Sequence, residues 1–190
     1  MSNGGLTTIG TGLQAAWLLA RGHAEGASLL AAEPASENLA LRNSFWAAAL
    51  AVPALLCLNL VDTPTADHSA HALARALLSA AVGWAGFAVI SHRFASQIGR
   101  AAQWPGFMVA WNWCNLLQYM MGVAAVLPDL LGLPAVVGET TWVVSLGWAI
   151  WLEWFATRVT LAIPGPLAAM LVLIDLLFGA AVQVAIAGIS

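Results

Sequence analysis

Five apolar stretches, each about long enough to cross a bilayer, constrain the fold of this 190-residue chain more than any other feature. They cover roughly residues 44–61, 72–91, 106–127, 140–158 and 166–189. A helix rises about 1.5 Å per residue, so about 20 residues cross the roughly 30 Å of hydrocarbon. Charged residues make up only 8% of the chain, whereas soluble domains carry about 25%. The sequence therefore predicts an integral membrane protein, an all-α bundle of five transmembrane helices.

The segment before the first stretch predicts a helix of a different kind. Between residues 6 and 30 an apolar stripe recurs at helical spacing, formed by Leu6, Ile9, Leu13, Ala16, Trp17 and Ala20. We expect one amphipathic helix that lies in the membrane interface, with Trp17 buried and Arg21 near the headgroups. The alternative is a cytoplasmic helix packed on the bundle. The domain organisation is then a cytoplasmic segment over 1–43 and a transmembrane domain over 44–190.

The arginines indicate the orientation of the bundle. Five of the six lie in the N-terminal segment, in the second loop or at the end of the fourth span, and only Arg75 lies on the other side. Basic residues near span ends stay in the cytoplasm, which predicts a cytoplasmic N-terminus and a C-terminus outside. The net charge of −3 argues against nucleic acid as a partner.

Several polar residues fall inside the predicted spans, where a charged group costs at least about 2.5 kcal/mol and needs a partner. They form a candidate intramembrane cluster of Asn112, Asn115, Gln118, Tyr119, Glu153, Arg158, Asp175 and Gln183. The helical rise places Asn112, Asn115 and Asp175 at similar depth. We therefore expect direct contact between the third and fifth spans through these side chains, with Arg158 neutralising one acid.

Two interpretations of this cluster remain open. In the first, the cluster is interhelical hydrogen bonding that holds the bundle together. In the second, it is a proton or ion pathway, or a pocket for a polar headgroup, in which Glu153 and Asp175 titrate. Catalytic motifs of the phosphate-loop, nucleophile-elbow or paired-cysteine kind are absent from the sequence, so we expect neither an enzyme nor a cofactor. A weak metal candidate remains in the first outer loop, where Asp67, His68 and His71 have ligand spacing but lack a third strong ligand.

The layout resembles the Yip1-like group of small five-span membrane proteins. Local segments, SFWAAALAVP (44–53), VAWNWCNLLQ (109–118) and LIDLLF (173–178), are similar to those of uncharacterised alphaproteobacterial proteins near that group. The resemblance implies a protein of the bacterial inner (cytoplasmic) membrane with an interaction or membrane-organising role and no defined reaction. Its partners would be membrane lipids and other membrane proteins or further copies of itself. The alternative function is a small transporter or proton-coupled permease.

Overall fold

A computed structural model describes residues 3–30, 37–62 and 70–188, and the regular elements in those ranges are all helical. The helices are α1 Asn3–Ala20, α2 Glu25–Leu30, α3 Glu37–Ser44, α4 Trp46–Asp62, α5 Ala70–Gln97, α6 Trp104–Ala125, α7 Leu127–Leu130, α8 Ala135–Thr160 and α9 Gly165–Ala187, with one 3-10 turn at Ala101–Gln103. The predicted all-α fold is confirmed.

Four helical segments are long and apolar enough to cross a membrane. They are Ala40–Leu58, His71–Gln97, Ala135–Thr160 and Gly165–Ala187, which coincide with the first, second, fourth and fifth predicted spans. The third predicted span is α6, which has 22 residues. It is less apolar than the others because its sequence contains Asn112, Asn115 and Gln118.

This polar helix lies at the centre of the molecule. α6 packs against α1, α3, α4 and α8, and Trp113 near its middle is only 1% exposed. α9 packs against α5 and α8. Large apolar side chains such as Val89, Val143 and Leu177 point outward from α5, α8 and α9. The arrangement places the amides of α6 inside the bundle and apolar side chains of the long helices on its outside, as a hydrocarbon solvent requires.

Glycine sets the closest approach between α5 and α9. The ring of Phe178 occupies the space that a side chain at Gly86 would fill. Short connections join α5 to α6, α6 to α8 and α8 to α9, and short connections between long helices make neighbours antiparallel. Successive long helices therefore alternate in direction, and α5 and α9 run antiparallel.

The N-terminal segment departs from its prediction. One continuous helix over residues 6–30 is wrong, because Gly22 adopts the left-handed conformation (φ +80°) and separates α1 from α2. The buried side of α1 is formed by Gly12, Ala15, Ala16, Leu19 and Ala20 and packs against α2 and α6, with Gly12 directly against the ring of Trp113. Trp17 lies on the outer side and is 53% exposed. The structure thus favours the alternative, a helix packed on the bundle.

Candidate functional site

The central helix holds a chain of hydrogen bonds around one fully buried amide. The Nε1 of Trp84 on α5 donates to Asn112 Oδ1 at 2.6 Å, and Asn112 Nδ2 donates to the Oγ of Ser44 at 2.7 Å. Ser44, the last residue of α3, donates in turn to the backbone oxygen of Leu41 at 2.6 Å. Asn112 and Ser44 are both 0% exposed. Three helices are therefore joined by side chains whose polar groups satisfy one another.

The remaining polar residues of α6 also serve the helix packing. Gln118 Nε2 donates across to the backbone oxygen of Ala149 on α8 at 2.8 Å. Asn115 instead donates to the backbone oxygen of Trp111 in its own helix at 3.0 Å. The ring of Tyr119 stacks on Trp84, with the centroids 6.3 Å apart. These contacts match the structural interpretation of the amides.

Two carboxyl groups meet where α8 and α9 pack together. The carboxyl group of Glu153 lies beside that of Asp175, and Trp111 Nε1 donates to Asp175 Oδ2 at 3.3 Å. Glu153 is 8% exposed, and its Oε1 atom lacks a hydrogen-bond partner among the described residues.

The predicted partners of these acids are wrong in two respects. Neither Asn112 nor Asn115 bonds to Asp175, because the first is held by Trp84 and Ser44 and the second by its own helix. The third and fifth spans do not pack closely against each other, and the long side chain of Trp111 bridges the gap between them.

Arg158 does not neutralise either acid. It is exposed, and its guanidinium lies over the ring of Trp154 at 5.5 Å from the centroid. Five residues turn a helix by about 140° beyond one full turn, so Arg158 projects away from the direction of Glu153. The carboxyl pair is thus without a basic partner among the described residues.

Two further predictions concern residues outside this centre. Gln183 lies exposed on α9 and does not join the cluster. Asp67 and His68 fall outside the described residues, while His71 is exposed near the start of α5. The metal site at these three residues stays a prediction.

The tryptophans inside the spans have a polar role that sequence reasoning missed. Trp84 and Trp111 donate to Asn112 and Asp175, and Trp148 donates to the backbone oxygen of Ala20 at 3.4 Å. An indole carries one N–H donor that needs an acceptor when buried. Amides and acids in a chain with many tryptophans could have predicted hydrogen bonds from indole N–H groups. The sequence does not show which helices face each other, so it could not assign the pairs.

Two cavities of about 230 Å³ each lie away from the carboxyl pair. The first is a cleft between α4 and α5 with an almost wholly apolar lining, formed by Ala48, Ala49, Ala51, Val52, Leu55, Leu77, Ala80, Ala81, Trp84 and Tyr119. The second lies where α2 and α3 meet the start of α6 and the end of α8, and Gln103 is among its lining residues. Neither cavity is lined by Glu153 or Asp175.

In comparisons with known proteins, no family model matches the chain, and no curated protein or solved structure is significantly similar to it. The resemblance to the Yip1-like proteins therefore stays a prediction.

Proposed function

We propose that this chain is a non-enzymatic, multi-pass membrane protein with an interaction or membrane-organising role, for example as an accessory subunit of a larger membrane complex. The proposal is carried by one contrast: polar side chains in the interior of the bundle are bonded to other helices, whereas the outer surface offers an open cleft and an amide without a hydrogen bond among the described residues. Inside, the amides of Asn112 and Gln118 are used in bonds between helices. Outside, an alanine-lined cleft and the exposed amide of Gln183 face the surroundings.

The proposal includes α6 as a fifth span. Its 22 residues give a length of about 33 Å at 1.5 Å per residue, enough for a bilayer. Its amides are tolerable there because they bond to neighbouring helices rather than facing lipid. With five spans and the arginine distribution, the N-terminus is cytoplasmic and the C-terminus periplasmic in a bacterial inner membrane, as the Yip1-like layout also implies.

The cleft between α4 and α5 supports binding of membrane components. Its lining is apolar, and both of its walls belong to segments apolar enough to span. A cleft of this kind within hydrocarbon is filled by apolar groups from lipid or protein, since water gains no hydrogen bonds there.

Purification in a mild detergent followed by native mass spectrometry tests the proposal. We expect a defined complex that retains lipid or a second protein chain at fixed stoichiometry. A strictly monomeric protein without co-purifying lipid or protein would count decisively against it.

A second candidate function is proton-coupled transport, favoured by the carboxyl pair. Glu153 and Asp175 lie side by side, and among the described residues they lack a basic partner and leave Glu153 Oε1 without a hydrogen bond. A structural pair would be expected to satisfy that atom, whereas a group that binds and releases a proton can leave it open.

Proton flux into liposomes, followed with an enclosed pH-sensitive dye, tests this second function. We expect Glu153→Gln to reduce the flux at least about tenfold, with Glu139→Gln, an exposed acid at the opposite end of α8, as the matched control. Flux that is absent from the wild type, or equal in the two variants, would remove the pair from any transport mechanism.

A further inference from the structure

The side chain of Gln183 is a polar group on the outer surface of an apolar helix. It lies exposed on α9 beside Val184, which is 75% exposed. Within the described part of the chain its amide makes no hydrogen bond. By contrast, the amide of Gln118 on α6 donates to α8. Gln183 therefore differs from the amides of the interior in having no hydrogen-bond partner among the described residues.

The depth of Gln183 follows from the packing of α9 on α5. Phe178 lies against Gly86, and Gln183 is five residues further along α9, or about 7.5 Å. Because α5 runs antiparallel, the matching point on it is Ala81, whose neighbours Leu78 and Val82 are 50% and 42% exposed. Gln183 is thus level with apolar side chains that face outward. Gln183 also lies four residues, or about 6 Å, before Ala187, the last residue of α9.

The surface around Gln183 allows close approach of another helix. Gly179 and Ala187 lie one turn before and one turn after it on the same side of α9. No atom lies within 4 Å of the position that a Cβ would take at Gly179. Small residues that flank a polar side chain let two backbones approach closely enough for side-chain hydrogen bonds in a membrane.

We propose that this surface, formed by Gly179, Gln183 and Ala187, binds the same surface of a second copy of the chain. A primary amide carries both a donor and an acceptor, so it is its own complement across a twofold axis. Each Gln183 then donates to the side-chain oxygen of the other, which satisfies both amides. A lipid acyl chain offers neither group. This inference rests on the proposed interaction role and names one partner for it.

Self-association in liposomes tests the inference, measured by energy transfer between donor-labelled and acceptor-labelled protein over a range of protein-to-lipid ratios. We expect the wild type to dimerise. Gln183→Leu should weaken the dimer about tenfold through the two lost hydrogen bonds, and Gly179→Leu should weaken it by obstructing close approach. Gln183→Asn keeps the amide and should retain part of the affinity. Leu177→Ala, at an exposed apolar position of the same helix, is the control and should dimerise like the wild type.

Three results would overturn the inference. They are a wild type that stays monomeric at every ratio, a Gln183→Leu variant that dimerises like the wild type, and a site-specific cross-link from position 183 that captures only a different protein. The cross-link to a different protein would contradict the dimer but agree with the proposed interaction role, so the experiment distinguishes the failure of one proposal from the failure of the other. Thermal unfolding of each variant checks that it is folded, which is expected because position 183 makes no internal hydrogen bond.

Discussion

At the scale of single residues, indole N–H groups determine how polar side chains are accommodated in this molecule. Trp84 and Trp111, on neighbouring helices, supply the donors for Asn112 and Asp175. Tryptophan fits this use because a large apolar ring accompanies a single donor, so the ring can lie in hydrocarbon while the N–H reaches an acceptor. Removing one acceptor should therefore lower the free energy of unfolding by an amount that depends on which donor loses its partner.

The amides of Asn112 and Asn115 should differ strongly in their contributions. Asn112→Leu leaves the buried N–H of Trp84 without an acceptor and should lower the free energy of unfolding by about 1 to 3 kcal/mol. Asn115→Leu removes only a bond to the same helix and should stay within roughly 0.5 kcal/mol of the wild type. Thermal unfolding in detergent measures both variants. Equal losses in the two would contradict the observed partners.

Asp175 gives a second comparison at this scale. Asp175→Leu removes the acceptor of Trp111 and the partner of Glu153, and should reduce the free energy of unfolding by about 0.6 to 1.7 kcal/mol. Asp175→Asn keeps an oxygen for Trp111 and adds donors that can reach Glu153, so it should unfold close to the wild type. The same unfolding assay applies, with Leu177→Ala at an exposed position of α9 as the reference. A leucine variant as stable as the wild type would show that the carboxyl contacts contribute little.

At the scale of elements, contacts between glycine and an aromatic ring position the outer helices. Gly12 of α1 meets the ring of Trp113, and Gly86 of α5 meets that of Phe178. In each case a missing side chain on one helix makes room for a ring from another, which brings the backbones together.

A matched pair of glycines tests the docking of α1. Gly12→Ala places a methyl group where the ring of Trp113 lies and should cost about 1 to 3 kcal/mol by overpacking. Gly10 has open space around it, so Gly10→Ala should be neutral or stabilise α1 by up to about 1 kcal/mol through helix propensity. Hydrogen exchange of the α1 amides is the measurement, and faster exchange is expected only in Gly12→Ala. Similar exchange in both variants would mean that the ring moves aside without cost.

The sequence predicted where the helices lie, but it did not predict which helices and side chains contact each other. The apolar stretches predicted the bounds of α4, α6 and α9 within about two residues, because length and hydropathy are properties of one segment alone. The break at Gly22 was missed because a glycine in a helical pattern predicts a left-handed turn only weakly. The pairing of Asp175 with Trp111 depends on how α6, α8 and α9 pack. A side chain at a given depth can contact any neighbouring side chain at that level. Depth alone therefore predicted the wrong partner for Asp175, an asparagine instead of Trp111.

At the scale of the whole molecule, the number of spans determines where the C-terminus lies. If α6 crosses the membrane, the ends of the chain are on opposite sides. If only the four most apolar segments cross, the ends are on the same side. We expect a periplasmic reporter fused after residue 190 to be active and a cytoplasmic one to be inactive. Fusions within the connection 131–134 should behave in the same way, and those at residues 98–100 in the opposite way. A cytoplasmic C-terminus would exclude the five-span arrangement.

The contact of Gly12 with Trp113 also sets an order of events during synthesis. The two residues are separated by about a hundred positions, and ribosomes add roughly 5–20 residues per second. α1 therefore waits for roughly 5 to 20 s after it emerges before the surface that receives it exists. During that interval the side of α1 that contacts α6 is uncovered. α1 is thus made well before the helix on which it docks, and its contact with Trp113 forms only after the middle of the chain has been synthesised.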